Sequence, residues 1–200
     1  ISDFLPVEGT KRNGNGFWKE GKTREESDVS AQIWTVDHDY VNTMGMHIVD
    51  GRDFSSEMPT DSQATIINQA MAAKLFPGEK EIVGKRITNS GTIYTVLGIV
   101  RDFNYENMRN DIRPLCLILG NSPTIVSVKL KTTDIQRTIA DVTGVWKSIA
   151  PHQPLRYTFL DQRFARMYDD VRRTGRIFTS FSVLAIVVAC LGLFALSAFM

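Results

Sequence analysis

Residues 30–36 alternate, with Ala31, Ile33 and Thr35 on one side and Gln32, Trp34 and Val36 on the other, which predicts a strand. Further strands are predicted at 46–49, 64–67, 115–119, 125–130 and 155–159. Residues 84–87 and 92–100 read as a pair around an Asn89-Ser90-Gly91 turn. Helical spacing separates these strands. Asp37 or Asp39 opens a short helix through Tyr40, Val41 and Met44, which Gly45 closes in a left-handed conformation. Asn68 caps a second helix over Ala70, Met71 and Leu75, and Phe76-Pro77-Gly78 stops it. A third helix starts near Thr133 or Asp134. Its stripe of Ile135, Ile139, Val142, Trp146 and Ile149 has spacings of 4, 3, 4 and 3, and Pro151 and Pro154 end it. Two β-α-β segments thus flank a middle region with its own strands and helix, so the chain reads as an α+β domain with an inserted subdomain.

The first 35 residues read as a loop-rich entry. Gly9, Gly14, Gly16 and Gly21 fall among Lys11, Arg12, Lys19 and Lys22, and Asn13-Gly14 and Asn15-Gly16 are turn formers by composition. Gly14-Asn15-Gly16 lacks the Lys-Ser/Thr ending and the preceding apolar strand of a phosphate-binding loop. Phe17-Trp18 either pins this loop onto the core or presents an aromatic anchor for a partner.

Beyond Leu160 the rhythm changes. Asp161 caps a helix in which Phe164, Tyr168, Val171, Gly175 and Phe178 recur at spacings of 4, 3, 4 and 3, a narrow seam. Arg163, Arg166, Arg172, Arg173 and Arg176 lie between them. Residues 177–200 then carry no Asp, Glu, Lys, Arg or His. As a helix these 24 residues reach about 36 Å, enough for a hydrocarbon core of about 30 Å. A membrane span is expected. Ala185, Ala189, Gly192, Ala195 and Ala198 leave small residues along it, consistent either with a neighbouring helix or with ordinary membrane-helix composition. Arg172, Arg173 and Arg176 suit anchoring against lipid phosphates. Only one flank of the span is visible, so charge alone does not orient it. A chain that opens on Ile1 and stops on Met200 inside an apolar run reads as a piece of a longer protein.

Composition refines this picture. With 23 Lys plus Arg against 22 Asp plus Glu, the net charge of +1 argues against a nucleic-acid binder held by bulk electrostatics. The 43% of apolar residues argues against an acidic disordered chain. Mean hydropathy of −0.11 averages a water-soluble part and an apolar terminus.

Candidate chemistry is sparse. His38, His47 and His152 stand far apart without a metal-ligand spacing, and His38 between Asp37 and Asp39 reads as helix-start polarity. Cys116 lies in an apolar strand and Cys190 in the span, so no internal disulfide is expected in the soluble part. Asp102, Glu106 and Asp111 read as solvated loop acids, and no nucleophile elbow is present. No catalytic, cofactor-binding or metal-ligating residue is assigned.

Several segments together carry a family resemblance. Residues 36–46, VDHDYVNTMGM, followed by Gly51-Arg52-Asp53-Phe54-Ser55, are similar to the D-Y-F-x-x-x-G-I … G-R-x-F pattern of MacB/FtsX-like ABC transporter permeases. So are Ile67-Asn68-Gln69-Ala70 with Lys74-Leu75-Phe76-Pro77, Val83-Gly84-Lys85, and residues 96–103, VLGIVRDF. Tyr157-Thr158-Phe159-Leu160-Asp161, leading through Arg176 to 189–194, ACLGLF, resembles the stalk and following membrane helix of that family. The resemblance covers about residues 30–200 and rests on order and spacing rather than on any single motif.

The resemblance implies an α+β, MacB-like periplasmic core domain over 1–160. That domain has porter-like β-α-β halves and an inserted smaller lobe at about 62–122. A stalk helix at 161–176 and a transmembrane helix at 177–200, the start of an FtsX-like membrane domain, follow. It implies a multi-pass protein of the bacterial inner (cytoplasmic) membrane with residues 1–176 in the periplasm, an orientation opposed to the simple charge rule for Arg172, Arg173 and Arg176. A separate ABC ATPase subunit would hydrolyse ATP, and the permease would pass that motion on as mechanotransmission for export or extraction of substrate. Membrane lipid and a dimer or pseudo-dimer of permeases are the other implied partners; no cofactor is. A regulatory membrane protein activating a periplasmic partner such as a cell-wall hydrolase, and a sensor ectodomain, are the alternatives.

Overall fold

The computed structural model describes residues 1–6, 14–104, 111–122 and 124–199, except for the side chains of Ser27, Phe164, 166–173, Leu196 and 198–199. Gly9, Lys11, Arg12, Asn13 and Glu106 of the sequence reading lie outside the described residues, as do the Phe164, Tyr168 and Val171 side chains of the seam. The chain divides into two units, Ile1–Ile135 and Gln136–Met200.

The first unit is built on seven strands: β1 (Gly14–Lys19), β2 (Val29–Val36), β3 (Ile48–Gly51), β4 (Ala64–Asn68), β5 (Arg86–Asn89), β6 (Thr92–Val100) and β7 (Leu115–Leu119). Three short helices join them: α1 (Arg24–Ser27), α2 (Tyr40–Met44) and α3 (Gln69–Leu75), with a 3-10 turn at Pro59–Gln63. Long β6 organises the topology. Thr95 pairs with Arg86 of β5 on one edge and with Ala64 of β4 on the other. From β4 the pairings run through β7, β2 and β1 to β5, which returns to β6. Six strands thus form a closed ring of ladders, and β3 joins β6 beyond β5 through the Ile48↔Val100 and Gly51↔Gly98 pairs.

Alternation along the strands feeds two cores. One takes Phe17, Ala31, Ile67, Ile87, Val96 and Cys116, a residue from each ring strand, and packs them with Met71, Ala72 and Leu75 of α3. The other takes Trp34, Val36, Ile66, Val100, Leu115 and Leu117 with Tyr40 and Val41 of α2 and Phe54. β4 serves both, so all five of its residues are buried. That explains why its sequence is a run rather than an alternation.

Local signals behave as their chemistry requires. Gly45 ends α2 at φ 67°. The Asn68 side chain caps α3 by accepting from the Met71 N–H at 3.0 Å. Ser90 (φ 47°) and Gly91 (φ 88°) form the two-residue turn of the β5–β6 hairpin.

Four expectations need correction. The entry region is not all loop: Asn15-Gly16 lies within β1, where a Cβ on Gly16 would stand 2.4 Å from Asp28 Oδ1. Gly16 therefore sits in a strand beside the Asp28 side chain rather than in a turn. Residues 62–122 are not set apart in the sheet, because β2 pairs with β7 and β3 with β6 across that boundary. Residues 125–130 and 155–159 form no ladder, apart from one bridge at Ile125. Strand propensity needs a partner edge to become a strand. Asp161 is not the cap of the last helix. It sits in the first turn, where its carboxylate accepts the Gln162 N–H at 2.8 Å.

The second unit holds α4 (Ile135–Ile149) and α5 (Leu160–Phe199). No residue of α4 is buried, and Ile135, Val142 and Ile149 of its apolar stripe are exposed, as is Val145 beside it. α5 is one helix of 40 residues, about 60 Å at 1.5 Å per residue.

Candidate functional site: the motif cluster and the membrane helix

The motif segments meet at three places, and at each the chemistry is structural. The first is a backbone crossing. Gly51 (φ +75°) leads out of β3, and a Cβ there would lie 2.3 Å from the Leu97 carbonyl oxygen and 2.8 Å from Gly98 Cα. A Cβ on Gly98 would lie 2.5 Å from the Arg52 carbonyl oxygen. The glycines of G-R-D-F and V-L-G-I-V therefore make room for each other's backbone.

The second is the Arg52–Asp61 pair. Arg52 Nη1 and Nη2 donate to Asp61 Oδ2 and Oδ1, both at 2.8 Å, and the Ser55 N–H donates to Oδ2 at 2.9 Å. Asp61 is 1% exposed, while the Arg52 side chain keeps 40% of its surface in water. The Arg52 hydrogen bonds hold the Asp61 carboxyl below the usual carboxylate range against the opposing effect of burial. Arg52 Nη1 also donates to the Asp53 carbonyl at 3.0 Å, and this fork straps the 52–61 loop down. Nearby Asp53 is raised, first by burial and then by Asp39, with His38 acting in the opposite direction.

The third joins I-N-Q-A to V-R-D-F. Asn68 is fully buried. Its Oδ1 accepts from the Met71 and Leu115 N–H groups at 3.0 and 2.9 Å, and its Nδ2 donates to the Arg113 carbonyl at 2.9 Å. Asp102 Oδ1 accepts the Ala70 N–H at 2.9 Å, and Gln69 Oε1 accepts the Asp102 N–H at 3.1 Å. One asparagine thus caps α3 and fixes the start of β7, while Asp102 gives α3 a second acceptor. Asp102 is a positioning acid and not merely a solvated loop residue.

The other sequence candidates do not converge. His38 lies in the turn between β2 and α2, His47 precedes β3 with its carbonyl accepting the Arg101 N–H at 2.8 Å, and His152 is exposed after α4. Asp111 is exposed. Among the described residues no group of three His, Cys, Asp or Glu is placed to hold a metal ion. Cys116 is buried against Thr65 Oγ1, and burial pushes its thiol up to about 12, so it is inert as a nucleophile at neutral pH. Phe17 is fully buried, and Trp18 is partly buried on the same strand, which decides for core packing over an exposed anchor.

Sequence reading missed the Arg52–Asp61 fork and the reach of Asn68 to Leu115. Nothing local in the sequence distinguishes Asp61 from other acids of its loop. Asn68 was legible only as a cap.

The second functional element is α5. Its segment Thr174–Ala195 is long and apolar enough to cross a membrane, and none of it is buried within the structure. Phe178, Phe181, Leu193 and Phe194 are 66–71% exposed. The hydroxyls of Thr179 and Ser180 donate to the Gly175 and Arg176 carbonyls at 2.9 Å, so these polar groups are satisfied within the helix.

Residues 5–148 match the family described as the MacB-like periplasmic core domain. No curated protein matches the chain. The chain is similar to the periplasmic region of MacB from Actinobacillus actinomycetemcomitans, at 16% identity and TM-score 0.53, with 78% of this chain and 72% of that one covered. It is also similar to the extracellular domain of the noncanonic ABC-type transporter YknZ from Gram-positive bacteria, at 18% identity and TM-score 0.52, covering 74% and 80%. Identity this low speaks for the fold alone. With the family match over most of its length and the motif segments converging in one sheet, the chain belongs to the MacB-like periplasmic core domain family.

Proposed function

We propose that the chain is the periplasmic portion and following membrane helix of an ABC transporter permease of the MacB/FtsX type. Residues 1–160 form the periplasmic core, 161–176 a stalk and 177–200 a span in a multi-pass protein of the inner membrane. A separate ATPase subunit hydrolyses ATP, and two permeases or pseudo-equivalent halves act together. The permease carries the motion to the periplasm, where it exports or extracts substrate. One observation supports this reading most directly: α5 is unbroken from Leu160 to Phe199, joining a polar first half to an apolar second half. A continuous hydrogen-bonded helix transmits displacement between its ends better than a jointed one.

The test is purification of the full-length protein from membranes in mild detergent, with ATPase activity measured on what accompanies it. The expected result is a stoichiometric ATPase subunit, whose catalytically dead form abolishes this protein's output. Recovery with no ATPase would overturn the proposal and move the sensor reading forward. Within the stalk, a Cβ on Gly175 meets nothing within 4 Å. If Tyr168, Val171 and Gly175 pack as a seam against a neighbouring helix in the full-length protein, Gly175→Leu is expected to leave the periplasmic domain folded while uncoupling ATP hydrolysis from output, and normal output would count against a mechanical stalk.

A further inference from the structure

The seam that runs from Phe164 to Phe178 in alternating steps of 4 and 3 does not stop where the charges stop. It continues in the same steps through Ser182, Ala185, Ala189 and Gly192, so one 3.5-residue repeat crosses from the polar half of α5 into the apolar half. The two halves use it differently. In the polar half the seam is mainly aromatic or aliphatic, and all seven charged residues from Arg163 to Arg176 fall outside it. Between Phe181 and Phe194 every seam position is small, and every other position is Phe, Val, Leu or Ile apart from Cys190. Solvation by lipid alone does not sort residues this way, because hydrocarbon accepts the bulky ones on any face. The seam is also uncovered. Phe178 is 68% exposed, nothing from Thr174 to Ala195 is buried, and a Cβ on Gly175 or Gly192 meets nothing within 4 Å.

We propose that this seam pairs with the same seam of a second copy of the chain, as a parallel, left-handed, in-register coil. Two copies inserted in one membrane share a direction, so the pair is parallel, and two-fold symmetry sets each seam residue against itself. Small then meets small at four successive layers, Ser182, Ala185, Ala189 and Gly192. That lets the backbones approach in lipid, where packing rather than water exclusion holds helices together. In the polar half the apolar seam residues meet each other and leave water. Charge agrees with this register. Of the charged positions only 172 flanks the seam, and parallel pairing sets it opposite 167, an arginine against a methionine, so no like charges meet. The pairing deepens the reading of two permeases acting together; it rests on α5 crossing a membrane and not on the ATPase.

Single cysteines along α5 test it in native membranes, in a Cys190→Ser background of the full-length protein. After mild oxidation, Ser182→Cys, Ala185→Cys and Ala189→Cys are expected to give at least about fivefold more disulfide-linked dimer than Val183→Cys, Val187→Cys and Leu191→Cys. Ala185→Leu added to Ser182→Cys is expected to reduce the linked dimer, and Val187→Leu to leave it unchanged. Equal yields around the helix, or no linked dimer at any seam position, would overturn the proposal. Seam cysteines captured by a different polypeptide would assign the seam to that helix and overturn it too. The readout needs no ATP, so loss of the dimer with an ATPase still co-purifying removes the paired seam alone, and a dimer without an ATPase removes the transporter reading alone.

Discussion

Residues 64–67 of β4 and the span within α5 are both uncharged, largely apolar stretches, and they end in opposite surroundings. Every residue of β4 is buried, with Ile66 and Ile67 at 0% exposure feeding separate cores. In α5 the corresponding side chains stand outward, Leu191 at 62% and Phe194 at 71%. β4 satisfies its backbone only through neighbours on both edges, β6 and β7, so its apolar character is matched to a surrounding sheet. The α5 backbone is satisfied internally, and what its surface needs is hydrocarbon. Hydrophobicity alone says that a segment leaves water; its length and the source of its hydrogen bonds say where it goes.

The same substitution made in both regions should therefore separate them. Leu117→Ala removes a fully buried side chain and is expected to cost about 2–5 kcal/mol, whereas Leu191→Ala, at an uncovered position of α5, is expected to leave the domain's stability unchanged. Thermal unfolding of the full-length protein in detergent measures both, and equal shifts would break the comparison.

Next in size is Asp61→Asn, expected to destabilise by about 2–3 kcal/mol, below the usual range for a buried pair because Arg52 can recover water. The folded-state value of Asp61 is depressed, so its contribution is complete above the unfolded value of about 3.9 and is lost as pH falls through the folded one. The variant should show a flatter fall in stability on acidification below about pH 4. An unchanged acid profile would mean that the fork adds nothing to folding.

Smaller still is the glycine contrast. Gly98→Ala drives a methyl group to 2.5 Å from the Arg52 carbonyl and is expected to cost about 1–3 kcal/mol, whereas Gly192→Ala meets nothing within 4 Å and should be neutral to stability. The smallest effect is at the hairpin. Ser90→Asn, at φ 47°, places a residue that tolerates the left-handed region and is expected to stabilise by about 0.5 kcal/mol.

Legibility in the sequence followed the range of the forces involved. Caps and turns depend on neighbours within a few residues, so Gly45, Asn68 and Ser90-Gly91 could be read directly, as could the amphipathic stripe of α4. β1 escaped because its glycines carry turn chemistry locally, and the approach of the Asp28 side chain to Gly16 is a contact the local sequence does not name. Residues 125–130 and 155–159 have strand composition, but whether they form ladders depends on partners that composition does not name. The motif series pointed to the family before its physical meaning was visible. The glycine crossing and the Asn68 and Asp102 bonds each unite residues 30 or more positions apart, a separation at which pattern carries no distance information.

The ring of ladders also sets a timetable. β7 lies between β2 and β4, yet it is the last of the seven strands to be made. Until residue 119 has left the ribosome, β2 and β4 each have an unpaired hydrogen-bonding edge, and the ring cannot close. The apolar segment of α5 follows about 60 residues later, roughly 3–12 s at 5–20 residues per second. Closure of a small sheet-rich domain takes milliseconds to seconds. The order of elements therefore gives this domain time to pair its strand edges and cover its two cores before the next hydrophobic segment of the chain arrives to compete for that apolar surface.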